Sequence, residues 1–106
     1  MIFQHTLEQV LSGKKTQTRR RIKPDKKFSY QVGKTYAVQP KRGQPAVARF
    51  EATAIRRQRL GDMSHEEALA EGFGSVADYQ KLWVKQYGNF EPDEEVWVIE
   101  FKLLQV

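Results

Sequence analysis

The segment Glu95-Val96-Trp97-Val98-Ile99-Glu100-Phe101-Lys102-Leu103 restricts the fold more than any other stretch of the chain. It is dense in β-branched and aromatic residues, which suit a pleated surface and lose rotamer freedom in a helix. Its alternation places Trp97, Ile99, Phe101 and Leu103 on one face, so it reads as a core strand.

The chain before it divides into shorter elements. Leu7, Val10 and Leu11 have helical spacing within His5 to Ser12, and Gly13 stops that helix. Thr16 to Ile22 is extended, with Pro24-Asp25 marking a turn. Val32 to Pro40 reads as a turn into a short strand that the proline closes. Val47 to Arg59 alternates only in part, as expected of a bent strand in a small barrel. Ser64 with Glu67 three positions on begins a short helix that Gly72 ends, and Ser75 caps a second helix reaching Tyr87, with Tyr79, Leu82 and Trp83 on its apolar stripe. The expected class is therefore α+β: a short N-terminal helix, several strands, two helices before the closing strand, and a small β-barrel plugged by the helices.

With 106 residues, 40% of them apolar, the chain has material for one modest core, so residues 1–106 are taken as a single domain. It has no cysteine, and its two histidines, His5 and His65, lack ligand spacing; no metal or other cofactor is expected. No apolar run approaches the roughly 20 residues needed to span a bilayer, and the first residues lack a leader pattern. A soluble, cytoplasmic monomer with no membrane partner is the expectation.

The net charge of +5 and pI near 9.6 attract phosphate-bearing partners. Its distribution says more. Asp25 is the one acid between Glu8 and Glu51, an interval holding Lys14, Lys15, Arg19, Arg20, Arg21, Lys23, Lys26, Lys27, Lys34, Lys41, Arg42 and Arg49. Within it, Gly13-Lys14-Lys15-Thr16-Gln17-Thr18-Arg19-Arg20 combines ammonium, hydroxyl and guanidinium groups just after a helix, a set able to hold phosphate. It is not a P-loop, because the glycine spacing is absent and the helix precedes the glycine, presenting its C-terminal dipole. The alternative is a hairpin strand with a solvated charged face.

These pieces together, the short helix, Ser12-Gly13-Lys14-Lys15-Thr16-Gln17-Thr18-Arg19-Arg20, Val32-Gly33-Lys34-Thr35-Tyr36 and the strand around Val98-Ile99-Glu100-Phe101-Lys102, resemble the ASCH domain, a relative of PUA domains. The resemblance covers essentially the whole chain. It implies a PUA-like barrel whose cleft contains the lysine and threonine, in a family that binds or acts on RNA and nucleosides. One branch is similar in length: small bacterial amidohydrolases that remove the acetyl group of N4-acetylcytidine. By that pattern Lys15, Thr18 and Glu71 match the catalytic lysine, threonine and glutamate, and Tyr87 matches a pocket tyrosine.

The chemistry is coherent. A threonine hydroxyl needs a base, and a lysine serves if desolvation or neighbouring cations lower its pKa. In a regular strand Lys15 and Thr18 point to opposite faces, so the pairing requires Lys15 to lie in the turn before the strand. Lys14, Thr16, Arg19, Arg20, Arg21 and Lys23 are the expected ligand contacts, the arginines and Lys23 facing phosphate. Trp83 and Trp97 are assigned to the core, whereas Phe28 and Tyr30 either stack on bases or anchor a loop. Three activities fit the partner class of RNA, nucleoside or nucleotide: amide hydrolysis on an N4-acylated cytidine, RNA binding without catalysis, or cleavage of single-stranded RNA. The last lacks a histidine near the motif.

Overall fold

The fold is that of a computed structural model describing residues 1–104. Its elements run α1 (Leu7–Leu11), β1 (Gln17–Arg21), β2 (Thr35–Val38), β3 (Ala48–Arg59), a 3-10 turn (Leu60–Asp62), α2 (His65–Ala70), α3 (Val76–Tyr87) and β4 (Glu95–Leu104). The four strands form one antiparallel sheet in the order β1-β4-β3-β2.

β4 is an inner strand and is covered on both faces. Val96 and Val98 pack with Leu60, Met63, Ala68, Tyr79 and Trp83 under α2 and α3. From the opposite face Phe101 joins Phe3, Val10, Val38, Ala48 and Phe50. The alternation correctly marks Ile99 and Phe101 as core, but Val96 and Val98 are buried as completely. Trp97, at the other end of that first face, is only half-buried.

The partial alternation of β3 has a local cause. Its register with β4 slips between Ala52 and Ala54, leaving Thr53 as the extra residue of a bulge. Before the slip Ala48, Phe50 and Ala52 face the core; after it Ile55 lies opposite Ile99.

The α+β class holds, but the sheet is open among the described residues rather than closed into a barrel. β1 and β2, of five and four residues, are its two edges and do not pair with each other. Other segments shield these edges. Phe3 donates to Gln39 O at 3.0 Å beside β2, and Thr16 just before β1 donates to Ala70 O at 2.8 Å.

The helix starts follow their capping residues. Ser64 Oγ accepts from Glu67 N at 3.1 Å while the Glu67 carboxylate accepts from Ser64 N at 3.0 Å, and Ser75 Oγ accepts from Asp78 N at 3.1 Å. No helix of the described residues is long and apolar enough to cross a membrane.

Candidate functional site

The link between α1 and β1 is clamped from both sides. Lys15 N–H donates to Gln9 O at 2.9 Å, and the next residue, Thr16, is tied to the end of α2 through Ala70 O at 2.8 Å. Lys15 therefore precedes the strand, as its pairing with Thr18 requires. Glu71 closes α2, and Gly72 follows at φ 96°, in the left-handed region open to glycine.

There the two side chains meet. Lys15 Nζ donates to Glu71 Oε1 at 2.5 Å and to the Glu71 backbone carbonyl at 3.0 Å. The other carboxylate oxygen of Glu71 accepts from Arg19 Nη1 at 3.0 Å. Arg19 also donates to Gln17 Oε1 at 2.6 Å, Gln58 Oε1 at 2.7 Å and Glu67 Oε2 at 2.9 Å. A buried charge is tolerable only with partners for its hydrogen-bonding positions, and this network supplies them. Burial holds the Lys15 ammonium below the usual lysine pKa; the Glu71 carboxylate opposes that shift, and Arg20 and Arg19 reinforce it. Burial also pushes the Tyr79 hydroxyl well above its ordinary value, with the Glu71 charge adding to the effect.

Lys15, Thr18, Arg19 and Glu71 line one cavity of about 30 Å³, together with His5 and Tyr79. Thr18 and Arg19 are neighbours on an edge strand and point to opposite faces, so the cavity lies at the outer edge of β1. The space admits a water molecule or a small exocyclic group, not a nucleobase. Ile2, Arg20 and Gln86 are shared with a wider recess of about 440 Å³ that also includes Tyr30 and Tyr87. That recess meets a cleft of about 240 Å³ lined by Arg20, Arg21, Lys23, Lys26 and Lys27 and by Phe28, Tyr30, Tyr87 and Trp97.

A family model described as the ASCH domain matches residues 2–105. The chain belongs to the ASCH domain family. Among solved structures, an ASCH domain from Lactobacillus crispatus superposes with TM-score 0.75 at 20% identity, covering 92% of this chain and 69% of that one. A protein from Enterococcus faecalis gives 0.72 at 19% identity, over 92% of this chain and 66% of its own. An S128A mutant of an ASCH protein from Zymomonas mobilis gives 0.67 at 16% identity, covering 96% and 65%. At these identities the likeness is one of fold, and this chain spans about two thirds of its structural relatives. No curated protein matches it.

Within this ASCH domain the expected site residues part company. Lys15, Thr18 and Glu71 come together. Tyr87 lines the recess and the cleft, not the cavity, because it ends α3. Lys14 and Thr16 are exposed and line none of these spaces. Arg19 lines the cavity but keeps 2% exposure, and its guanidinium is held by Gln17, Gln58, Glu67 and Glu71. Arg21 walls the cleft but is paired with Glu94 at 2.8 Å and lies over the Tyr87 ring. Arg20 and Lys23 line the cleft.

Trp83 is buried as expected, but Trp97 is not a core residue. Phe28 stacks on it with centroids 4.2 Å apart, and the Arg57 guanidinium lies 4.9 Å from its ring. His5 lines the cavity, so a histidine does stand near the motif despite the sequence spacing. Gln17, Gln58 and Glu67, which complete the network around Arg19, carried no signal because they are ordinary polar residues until the fold unites them. No group of three or more His, Cys, Asp or Glu gathers as a metal site among the described residues.

Proposed function

We propose that this ASCH domain binds RNA or a nucleotide, with the base in the recess at the mouth of the Lys15–Thr18–Glu71 cavity. One observation carries the reading: the cavity adjoins, through Arg20, a recess and a cleft walled by cations and aromatic rings. Cations attract phosphate and ring faces stack on bases, the two contacts by which proteins hold unpaired nucleotides. Calorimetric titration with cytidine 5′-monophosphate tests it. Saturable binding that Arg20→Ala weakens is expected; heats indistinguishable from dilution would overturn it.

The convergence of Lys15, Thr18 and Glu71 favours a second, finer reading, hydrolysis of an N4-acylated cytidine. The Thr18 hydroxyl attacks the acyl carbonyl carbon as the Lys15 amine takes its proton. The carbon–nitrogen bond to the exocyclic nitrogen then breaks, and that nitrogen receives the proton, releasing cytidine. Water hydrolyses the acyl ester, giving the carboxylic acid and restoring the threonine hydroxyl. A lysine held below its usual pKa suits the base role, and the small cavity suits an acyl group beside a base that stays outside. Incubation with N4-acetylcytidine should release cytidine, and turnover unchanged in Thr18→Ala would remove this mechanism. His5 gives cleavage of single-stranded RNA an acid–base group, and shortening of an oligonucleotide in the same assay would select that chemistry instead.

A further inference from the structure

The cleft beside the recess shares Arg20, Tyr30 and Tyr87 with it and adds Arg21, Lys23, Lys26, Lys27, Phe28 and Trp97. Three of its cations, Lys23, Lys26 and Lys27, lie in the loop after β1 and are exposed, and no carboxylate among the described residues pairs with them. Arg19, Arg21, Arg56, Arg57 and Arg59 are each matched to a glutamate or aspartate. Arg20 differs. It is half-buried, donates only to the carbonyls of Ile2 at 3.0 Å and Arg19 at 3.4 Å, and lines the cavity, the recess and the cleft together. An arginine held in place by backbone carbonyls and without a carboxylate keeps its charge available to an incoming anion.

The aromatic side of the cleft is ordered by the sheet. Trp97 is opposite Arg20 on β1 and Arg57 on β3, and Phe28 and Tyr30 come from the loop with centroids 5.6 Å apart. Phe28, tilted 22° from the Trp97 plane at 4.2 Å, occupies a position that a base could share or extend. Rings and lysines thus line the same cleft, the two kinds of contact that hold bases and phosphates of an unpaired strand.

We infer that this cleft is a subsite for the nucleotide adjoining the one at the cavity, with Arg20 gripping the phosphodiester between them, so that the ligand is single-stranded RNA rather than a free nucleoside. The inference rests on the proposed nucleotide site at the cavity. It adds a second nucleotide contact and assigns the lysine loop to the backbone beyond it. A duplex does not fit the same role, because its bases are stacked on one another and unavailable to Phe28 and Trp97.

The test compares binding of a fluorophore-labelled single-stranded pentacytidylate, the same length of duplex, and cytidine 5′-monophosphate to the whole protein, over a series of salt concentrations. The single strand should bind at least about fivefold more tightly than the mononucleotide, since stacking of one further base is worth about 1–3 kcal/mol, or about 5- to 150-fold. Replacing Lys23, Lys26 and Lys27 together by alanine should reduce the salt slope by about 2, at about 0.7 for each phosphate left without its cation. Phe28→Ala should weaken strand binding about tenfold and leave cytidine 5′-monophosphate unchanged. The three lysines are exposed and Phe28 is half-buried against Trp97, so circular dichroism of each variant is compared with the parent to check that it folds. Equal affinity for strand and mononucleotide, with no effect of either variant, would overturn the cleft and leave the cavity reading standing. Equal binding of duplex, or of a polyglutamate of the same charge, would show plain charge attraction and also overturn it. If no probe binds, both readings fall.

Discussion

The Lys15 ammonium and the Glu71 carboxylate meet at 2.5 Å in a place where the two side chains retain 3% and 2% exposure. Removing one partner of such a pair strands the other, and here Glu71 also neutralises Arg19. Glu71→Ala should cost about 3–5 kcal/mol. For a domain of this size that lowers Tm by more than about 10 °C, readable by calorimetry. A drop of only a degree or two would mean that water already compensates these charges.

Arg19 and Lys23 should separate stability from binding. Arg19→Ala removes the hub of a buried network and should lower the denaturant midpoint strongly. Lys23→Ala removes an exposed cleft cation and should leave the midpoint within error while reducing the salt dependence of RNA affinity. The reverse pattern, a stable Arg19→Ala with an altered salt slope, would return Arg19 to the ligand surface.

Acid stability should depend on Glu67. Burial pushes its carboxyl up, but hydrogen bonds from Ser64 and Gln58 and the charges of Arg19 and Arg56 outweigh that and hold it below its ordinary value of 4.5. As pH falls, the unfolded chain takes up the proton first. The stabilisation is therefore complete above about 4.5 and is lost as pH falls through the lower folded value. Urea midpoints measured at descending pH should fall more steeply for the parent protein than for Glu67→Gln over that interval. Parallel curves would contradict the arrangement.

Gly72 holds the corner that delivers Glu71. Its φ is 96°, and an added Cβ would come within 2.9 Å of Gln9 Cβ and 3.5 Å of Lys15 Cβ. Gly72→Ala should cost about 1–3 kcal/mol from the backbone conformation alone. The close approach to Gln9, whose carbonyl holds the Lys15 N–H, should also reduce ligand binding in the fraction that folds. A thermally unchanged variant would show that the corner relaxes freely.

Much of this was legible in the sequence because the signals were local. Ser64 with Glu67 and Ser75 with Asp78 set the starts of α2 and α3 through contacts three residues apart, and β4 declared itself by its residue types. The turn position of Lys15 followed from side-chain alternation. What failed depended on distant partners. Three consecutive arginines look like one solvated face, yet Arg19 shares a sheet face with Val98 beneath the helices and finds carboxylates 48 and 52 residues away. Trp97 shares its alternation with Ile99 and Phe101, but only the Phe28 loop and Arg57 cover its end of the strand. Sheet closure, too, depends on whether β1 and β2 meet, which no local pattern encodes.

Amide chemical-shift mapping of the labelled protein during titration with cytidine 5′-monophosphate decides whether the cavity and recess hold the nucleotide. The shifted residues should cluster on Lys15, Thr18, Arg19 and Arg20, on Glu71, and on Gln86 and Tyr87, where the cavity and recess lie. Shifts confined elsewhere, such as the exposed loop from Lys41 to Val47, or no shifts at millimolar ligand, would rule the site out.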